Sequence, residues 1–418
     1  MSPAEQVPPL AVALGDLGLI LVLAAGFGAL ARRFGQPAVI GEICAGIALG
    51  PSLLGLLPGG LTDVLFPPEV RPLLGAVAQA GLLLFMFGIG RELDLRHMRG
   101  RLTATGAVWV SSVAVPLVMG GALAAVLHGR HDTVDGQPVD FTSFCLFLAV
   151  AMSITAFPVL ARIITEHRLG DTRVGSLALG LAAADDAMAW TLLALVSGAT
   201  VAGAWALMGA MVLWTALYVA VLLLLVRPLL RRIVPRLDPS RAACVAAACV
   251  FGSAYATELI GLHAVFGAFF AGVAFPRNTG EGTAYALRSL DAAGTLLLPV
   301  YFVVVGLKVD LASLSATGVV ELVLIVLTAV AAKLGGVALA ARASGMPGRE
   351  SLALGVLMNT RGLTELVILE VGLSLGLLDR QIFSSMVVMA LVTTAMAGPL
   401  LPRLLSPRKA LRPAGSRE

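Results

Sequence analysis

The chain has 418 residues, of which 58% are hydrophobic and only 13% are charged, and its mean hydropathy is +0.93. A soluble domain is usually about half apolar and about a quarter charged, so this chain has too few polar groups to cover a surface that faces water. The net charge of +4 does not indicate nucleic-acid binding, because basic residues of membrane proteins gather in cytoplasmic loops. The composition therefore excludes a soluble protein and predicts that lipid surrounds most of the surface.

Thirteen apolar stretches are candidates for helices that cross a bilayer, which requires about 20 mostly apolar residues. In chain order these spans cover residues 14–31, 37–56, 72–90, 103–127, 142–165, 173–198, 203–226, 241–258, 261–276, 288–308, 317–341, 349–372 and 381–403. The segment before the first span lacks the features of a signal peptide, so we expect this span to be retained. The sequence predicts an all-α polytopic membrane protein with thirteen transmembrane helices.

The predicted loops alternate along the chain between loops with many basic residues and loops with few. If the N-terminus lies outside, the outside loops hold only Arg71, Arg130, Lys308 and Arg380, and the inside loops hold most other arginines. A wrong helix count would reverse this bias after the error. We therefore predict a multi-pass protein of the cell membrane with a cytoplasmic C-terminus. We expect residues 1–403 to form one transmembrane domain, followed by a short basic cytoplasmic tail at 404–418, and we expect no nucleotide-binding domain.

Several ionisable side chains fall in the middle of predicted spans, where each charge costs about 2.5–3.5 kcal/mol on insertion scales and indicates a functional role. Asp185 and Asp186 are neighbours in the sixth span, so their carboxylates point about 100° apart on a helix. Two carboxylates this close need a cation, and Lys333 in the eleventh span is the predicted counter-ion. A structural ion pair alone would account for one aspartate and leave the other without a partner.

Two spans combine polar residues with helix-breaking residues at membrane depth. The fifth contains MSITAFP, with Ser153 and Thr155 ahead of Pro158, and the twelfth contains MNTRG at 358–362. Unwound backbone at this depth must be buried in protein or line a cavity, and paired interrupted helices mark the binding site of many secondary transporters. We predict that helices 5 and 12 are discontinuous and that helices 4–6 and 11–13 are inverted repeats.

Other polar residues within the spans are candidates for supporting roles. Each break leaves half-helix ends with partial charge, and Arg361 is predicted to neutralise carbonyl ends where the breaks meet. Asn359, Thr360 and Glu365 are accessory candidates in the twelfth span. Glu42, in the second span, is either a packed, protonated acid or a residue of the ion pathway, and the sequence leaves both interpretations open.

Six stretches carry a family resemblance: GQPAVIGEICAGIALGPSLLG, MSITAFPVLARIITEHRLG, GSLALGLAAADDAMAWTLLA, HAVFGAFFAGVAFP, LLLPVYFVVVGLKVDL and ALGVLMNTRGLTELVILEVG. In this order, over nearly the whole chain, they resemble the monovalent cation:proton antiporter-2 family, especially its Kef-type and plant cation/proton exchanger branches. The resemblance implies the sodium/proton antiporter fold, in which two broken helices cross within a core of helices 4–6 and 11–13. The remaining helices would form a dimerisation scaffold, and the protein would be a homodimer.

The resemblance also implies roles for individual residues. Asp186 matches the aspartate that binds the cation and the proton, Asp185 matches the residue before it, and Lys333 matches the buried lysine. The predicted cation and proton site comprises Asp186, Asp185, Thr155 and Ser153, with Lys333 and Arg361 compensating charge.

The predicted function is secondary active antiport, in which a monovalent cation, Na⁺ or K⁺, is exchanged for H⁺ by alternating access. Protons and the cation compete for Asp186, and Asp185 and Lys333 form a coupled ion pair. We predict no enzymatic activity and no cofactor, and the sequence does not distinguish Na⁺ from K⁺. The alternative is a proton- or sodium-coupled carrier of a larger solute on the same fold. An intramembrane aspartyl protease is excluded, because its two aspartates must face one water from separate helices.

Overall fold

A computed structural model of the chain describes residues 8–58, 60–92, 102–134, 136–198, 204–277, 280–309, 311 and 316–405. Within these residues the helices, in chain order, are α1 (Pro9–Arg33), α2 (Ala38–Leu49), α3 (Leu61–Leu65), α4 (Arg71–Glu92), α5 (Leu102–Leu127), α6 (Phe141–Ser153), α7 (Phe157–Glu166), α8 (Arg173–Gly198), α9 (Ala204–Val221), α10 (Arg227–Ile233), α11 (Pro239–Ile260), α12 (Ala264–Ala274), α13 (Glu281–Gly306), α14 (Ala316–Ala329), α15 (Gly336–Ala343), α16 (Gly348–Met358), α17 (Leu363–Ser374), α18 (Arg380–Ala395) and α19 (Ala397–Leu405). Most of the predicted tail, from residue 406 onward, lies outside the described residues.

Each predicted span coincides with one helix or with two consecutive helices. Among the described residues, ten helical segments are long and apolar enough to cross a membrane, which confirms the polytopic helical fold. The other three predicted spans fall on α8, on the 11-residue α12 and on the pair α16 and α17. The number of thirteen crossings therefore stays a prediction.

Two short features differ from the predicted helical pattern. The second predicted span, 37–56, matches the candidate membrane span Ala38–Leu56, but its helix is not continuous: α2 ends at Leu49 because Gly50 adopts an extended conformation ahead of Pro51. A short 3-10 turn, Leu54–Leu56, follows it. Between α5 and α6 a small antiparallel hairpin pairs Thr133–Val134 with Gln137–Pro138, outside the apolar spans.

Two helical spans contain a π-helical turn. One, Leu222–Val226, joins α9 to α10, and the other, Val330–Gly335, joins α14 to α15 and contains Lys333. A π turn inserts an extra residue into the hydrogen-bonding ladder and is frequently found at functional sites.

Helices α2 and α13 approach each other closely through glycines. A Cβ atom on Gly46 would lie 2.2 Å from the carbonyl O of Val303, and one on Gly306 would lie 2.4 Å from the carbonyl O of Ile43. Real Cβ atoms do not come this near to backbone, so only glycine fits at either position. Small residues at helix interfaces permit this kind of packing in membranes.

Replacing Gly46 with leucine tests this contact. Overpacking a tight interface typically costs about 1–3 kcal/mol, and we expect at least this loss because the new side chain meets backbone. The measurement is the Tm of the purified variant in detergent. Gly26→Leu is the matched control, since a Cβ on Gly26 meets nothing within 4 Å. Equal Tm values for the two variants would contradict the close approach of α2 and α13.

A polar cluster joins the end of α5 to the starts of α14 and α18. The imidazole of His131 lies 2.5 Å from Asp379 through Nδ1 and 3.1 Å from Glu321 through Nε2. Glu321 also accepts hydrogen bonds from Arg130 at 3.2 Å and from Gln381 at 2.7 Å. Burial opposes protonation of His131, but its hydrogen bonds and the charges of Asp379 and Glu321 outweigh this effect and raise the pKa of His131. The cluster therefore favours the imidazolium.

His131→Gln is expected to destabilise the protein most at low and neutral pH. A group whose pKa is raised by folding adds stability below its ordinary pKa and loses it as the pH rises through the raised value. The loss at neutral pH is about 1–3 kcal/mol, typical of breaking buried hydrogen bonds to charged groups. The measurement is Tm against pH for wild type and variant. The two curves should converge at alkaline pH; a constant separation would show that His131 is not protonated in the folded protein.

Candidate functional site

Two helices are broken at the same place, and their breaks touch. Helix α6 ends at Ser153, and Ile154 and Ala156 are extended before α7 begins at Phe157. Helix α16 ends at Met358, and α17 begins at Leu363. The backbone N–H of Ala156 donates to the carbonyl O of Thr360 at 3.1 Å. The unwound segments therefore satisfy part of each other's backbone, as non-helical chain at membrane depth must.

Gly362 permits this close approach. A Cβ atom at this position would lie 2.5 Å from Cγ2 of Val159, in the first turn of α7. A branched valine side chain pressed from this direction cannot move aside easily. The glycine of the MNTRG motif therefore lets α17 begin directly against α7.

Two buried cations lie at the C-terminal end of α6. Arg361 donates to the carbonyl oxygens of Ala151 and Met152 at 3.1 and 2.6 Å. Lys333 donates to the carbonyl oxygen of Ser153 at 2.5 Å. The last carbonyls of a helix carry partial negative charge and have no partner within the helix. Lys333, from the π turn between α14 and α15, and Arg361, from the second break, thus neutralise the last carbonyl oxygens of α6, which would otherwise have no partner inside the membrane.

Asp185, on α8, is fully engaged by its neighbours. Its Oδ2 lies 2.7 Å from Nζ of Lys333 and 2.9 Å from the hydroxyl of Thr155, and its Oδ1 accepts from the hydroxyl of Ser112 at 2.9 Å. The other two N–H groups of the Lys333 ammonium donate to the carbonyl oxygens of Ser112, at 2.8 Å, and of Ser153. Both charged side chains are completely buried. This is a closed ion pair with little capacity for another ligand.

Asp186 has a different environment although it is the next residue. Its carboxylate lies within hydrogen-bonding reach of the Thr364 hydroxyl and the backbone N–H of Phe157. The N–H of Phe157 belongs to the first turn of α7, where the partial positive charge of a helix N-terminus stabilises an anion. Its Oδ1 is buried and has no hydrogen-bond partner. Asp186 is therefore a buried carboxylate with one oxygen available for a proton or a cation.

The other candidates near the breaks contribute in different ways. Ser153 turns its hydroxyl to the carbonyl of Val150 at 2.8 Å, so its backbone rather than its side chain faces Lys333. Thr360 donates to the carbonyl of Leu357 at 2.7 Å. Glu365 lies 3.0 Å from Arg361, with both side chains completely buried. Asn359 is 1% exposed, and neither polar atom of its amide has a hydrogen-bond partner, so this amide remains available to a ligand.

Glu42 belongs to a separate cluster. Its Oε1 lies 3.4 Å from Nη2 of Arg162 on α7, whose Nε donates to Glu166 at 3.0 Å. Glu166 in turn accepts from the N–H of Ala38 at 2.9 Å. These contacts join α2 to α7, so Glu42 pairs with an arginine between helices instead of joining the two aspartates.

Four residues that the sequence analysis did not select also contribute. Ser112 and Thr364 supply hydroxyls to the two aspartates. Thr394 bonds both the N–H and the C=O of Arg361 at 2.8 Å. Tyr301, on α13, lies within electrostatic reach of Asp186. Nothing in the sequence indicates these residues, because a single hydroxyl in an apolar span gives no sign of its partner.

Lys333→Met tests the energetic role of the closed ion pair. It leaves Asp185 as a buried charge without a cation, which typically costs about 3–5 kcal/mol. Adding Asp185→Asn removes that charge, so the double variant should recover part of the lost Tm. Arg71→Gln is the control, since Arg71 pairs with Asp63 at 2.6 Å on the surface, where such pairs contribute about 0–1 kcal/mol. A double variant no more stable than Lys333→Met would contradict the coupling.

Comparison with known proteins places this arrangement in a family. The chain matches the family described as sodium/hydrogen exchanger, transmembrane, over residues 19–406. It is 39% identical over 400 residues to the Na⁺/H⁺ antiporter NhaS4 of Synechocystis sp., covering 94% of this chain and 96% of that protein. It is 37% identical over 406 residues to cation/H⁺ antiporter 20 of Arabidopsis thaliana, covering 94% and 48%. With K⁺/H⁺ antiporter 1 of Saccharomyces cerevisiae it shares 36% over 378 residues, covering 87% and 43%. The chain thus spans about half the length of the plant and yeast relatives.

The fold is also found among solved structures. The sodium proton antiporter MjNhaP1 from Methanocaldococcus jannaschii superimposes with a TM-score of 0.64 at 15% sequence identity, covering 94% of this chain and 96% of that one. At this identity the likeness establishes the fold alone. The predicted antiporter fold and the resemblance drawn from the sequence motifs are confirmed: the chain belongs to the sodium/hydrogen exchanger family of multi-pass membrane proteins.

Proposed function

We propose that the protein exchanges a monovalent cation, Na⁺ or K⁺, for H⁺ across the membrane by alternating access, with Asp186 as the shared site. Family membership supports the exchange, and so do relatives that are named as antiporters of Na⁺, K⁺ or H⁺. The assignment of the shared site to Asp186 rests on the contrast between two adjacent carboxylates. Asp185 is closed by Lys333, whereas Asp186 keeps an oxygen without a hydrogen-bond partner.

The charges around the crossing explain why a proton and a cation compete. Asp185 and Lys333 neutralise each other, as do Arg361 and Glu365. Ionised Asp186 then leaves this group with a net charge of −1, since two cations face three carboxylates. A buried charge of this kind is strongly unfavourable unless it is compensated. Either one proton or one monovalent cation restores neutrality, and binding of either excludes the other.

Charge neutrality also favours coupled exchange over uncoupled leakage of either ion. A site that moves across the membrane while empty would carry its net charge of −1 through an apolar barrier. With a proton or a cation bound, the site is neutral and the movement is far less costly. Each return of the site therefore requires a bound ligand, and net exchange results when a cation moves in one direction and a proton in the other. Coupling follows from charge neutrality, and the closed pair of Asp185 and Lys333 is what holds the charge of the surroundings constant.

The remaining parts of the machinery follow from the topology. The site is built from α5 to α8 and α14 to α19, which correspond to predicted helices 4–6 and 11–13. We infer that these helices form the moving core, that the others form the scaffold, and that the protein is a homodimer. The arginine-rich loops support a cytoplasmic C-terminus and an N-terminus outside the cell membrane. Tyr301 brings a scaffold residue close to the site.

Asp186→Asn is expected to abolish exchange. An amide cannot be ionised, so the site has no charge for a cation to neutralise and no proton to release. The measurement is the response of a pH-sensitive dye inside proteoliposomes when Na⁺, K⁺ or Li⁺ is added to one side. The variant should give the signal of protein-free liposomes, and Asp186→Glu should retain part of the rate.

Asp63→Asn serves as the control for this experiment. Asp63 is an exposed carboxylate whose side chain is 73% accessible, and its removal should leave the exchange rate unchanged. If Asp186→Asn exchanged alkali cations for protons at the wild-type rate, the assignment of Asp186 would be wrong. If no alkali cation produced a signal with the wild type while an organic solute did, the proposed substrate class would be wrong.

A further inference from the structure

A basic cavity opens beside α10, remote in sequence from the two aspartates. It has a volume of about 400 Å³ and is lined by Arg227, Arg231 and Arg277, with Pro235, Val273, Phe275 and Pro276. None of the described residues that line it is acidic. Arginine side chains form paired hydrogen bonds with phosphate oxygens and are weakly hydrated, so a cavity lined by three arginines is well suited to a phosphate. Arg277 lines it while its Nε donates to the carbonyl O of Arg91 at 2.7 Å.

An apolar groove lies against the same helices. It has a volume of about 250 Å³ and runs between α9, the π turn and α10 on one side and α11 and α12 on the other. Its lining includes Val226, Leu230, Ala248, Gly252, Ala256 and Ala271. Small residues on α11 leave this groove open, and its size and apolar lining suit a hydrocarbon chain.

The groove and the cavity adjoin each other along the chain. Val226 lines the groove and Arg227 the cavity, and Leu230 and Arg231 repeat this pairing one turn later. Across from them, Ala271 lines the groove and Val273 the cavity. The π turn at Leu222–Val226 lies at this junction, where it widens the helix between the two spaces. The resulting surface is basic at one end and apolar along its length.

The side chains next to this surface suit contact with membrane lipid. The outer face of the same helical segment is apolar and exposed, with Leu224 at 79%, Leu225 at 64% and Leu229 at 51%. Helices with exposed leucines next to arginines are typical of the boundary between the hydrocarbon and headgroup layers. The predicted topology places this end of α10 on the cytoplasmic side, where the leaflet is rich in anionic lipid.

We propose that this surface is a binding site for an anionic phospholipid, with its phosphate between Arg227, Arg231 and Arg277 and one acyl chain in the groove of α9 to α12. Basic pockets between transmembrane helices bind anionic headgroups in this way. A lipid with a choline headgroup fits less well, because its positive charge would face the arginines. A free phosphate would use the cavity but not the groove. The site is independent of the exchange proposed for Asp186.

The experiment uses the full-length protein purified in detergent and measures bound lipid by native mass spectrometry, with Tm as a second measurement. The probes are dioleoylphosphatidylglycerol, dioleoylphosphatidylcholine and inorganic phosphate. We expect the anionic lipid, dioleoylphosphatidylglycerol (the glycerol lipid), to bind and to raise Tm. Dioleoylphosphatidylcholine (the choline lipid) and inorganic phosphate should have little effect. The combined variant Arg227→Gln, Arg231→Gln and Arg277→Gln should weaken binding about tenfold, as expected for lost hydrogen bonds to a charged group.

Gly252→Leu tests the groove without touching the arginines. A Cβ at Gly252 meets nothing within 4 Å, so the leucine fills the groove and should weaken retention of the glycerol lipid without unfolding the protein. Gly18→Leu is its control, because Gly18 also has open space around it and lies on α1. The control for the arginines is Arg232→Gln, Arg236→Gln and Arg241→Gln, which removes the same number of positive charges from residues that do not line the cavity.

Three outcomes would overturn the proposal. If the arginine control weakened binding as much as the cavity variant, binding would reflect general attraction to a basic surface. If the two lipids bound equally, the arginines would not be selecting an anionic headgroup. If phosphate alone raised Tm as much as the glycerol lipid and Gly252→Leu had no effect, the cavity would be a site for a free anion.

Discussion

A charge or a bare backbone group inside a membrane must be neutralised within the protein, and this constraint organises the centre of the molecule. Breaking α6 exposes carbonyl oxygens that no helical N–H can reach. Lys333 and Arg361 fill that role, each fully buried and each also paired with a carboxylate. The breaks therefore require cations, the cations require acids, and the two ion pairs follow as one arrangement.

The same breaks that require cations also create a place for an anion. Where α6 ends with partial negative charge, α7 begins with partial positive charge only a few residues later. Asp185 lies beside the cation at the first end, and Asp186 lies beside the N–H of Phe157 at the second. Two adjacent carboxylates thus differ because they face opposite ends of an interrupted helix. That difference supports the proposal that Asp186 exchanges its ligand while Asp185 stays paired with Lys333.

The constraint weakens toward the edges of the membrane, where the polar groups follow other rules. His131 forms an ionic bridge between Glu321 and Asp379 beyond the end of α5, where water can reach part of the cluster. The arginines beside α10 line an open cavity together with prolines and apolar residues. This cavity is the surface that we propose for an anionic headgroup. The core and its boundary thus use charge for different purposes.

The sequence by itself determined the helical membrane fold and the candidates for its centre. Apolar runs of sufficient length, charges within them and the MSITAFP and MNTRG breaks are local features that can be read without coordinates. Only the tertiary structure decided that Lys333 also donates to the carbonyl oxygens of Ser112 and Ser153, that Glu42 pairs with Arg162, and that Ser112, Thr364 and Thr394 supply hydroxyls. These contacts join residues far apart in the chain, and the direction of a side chain on a helix depends on how neighbouring helices are rotated and packed. A local pattern contains the chemistry, but partners are set by packing.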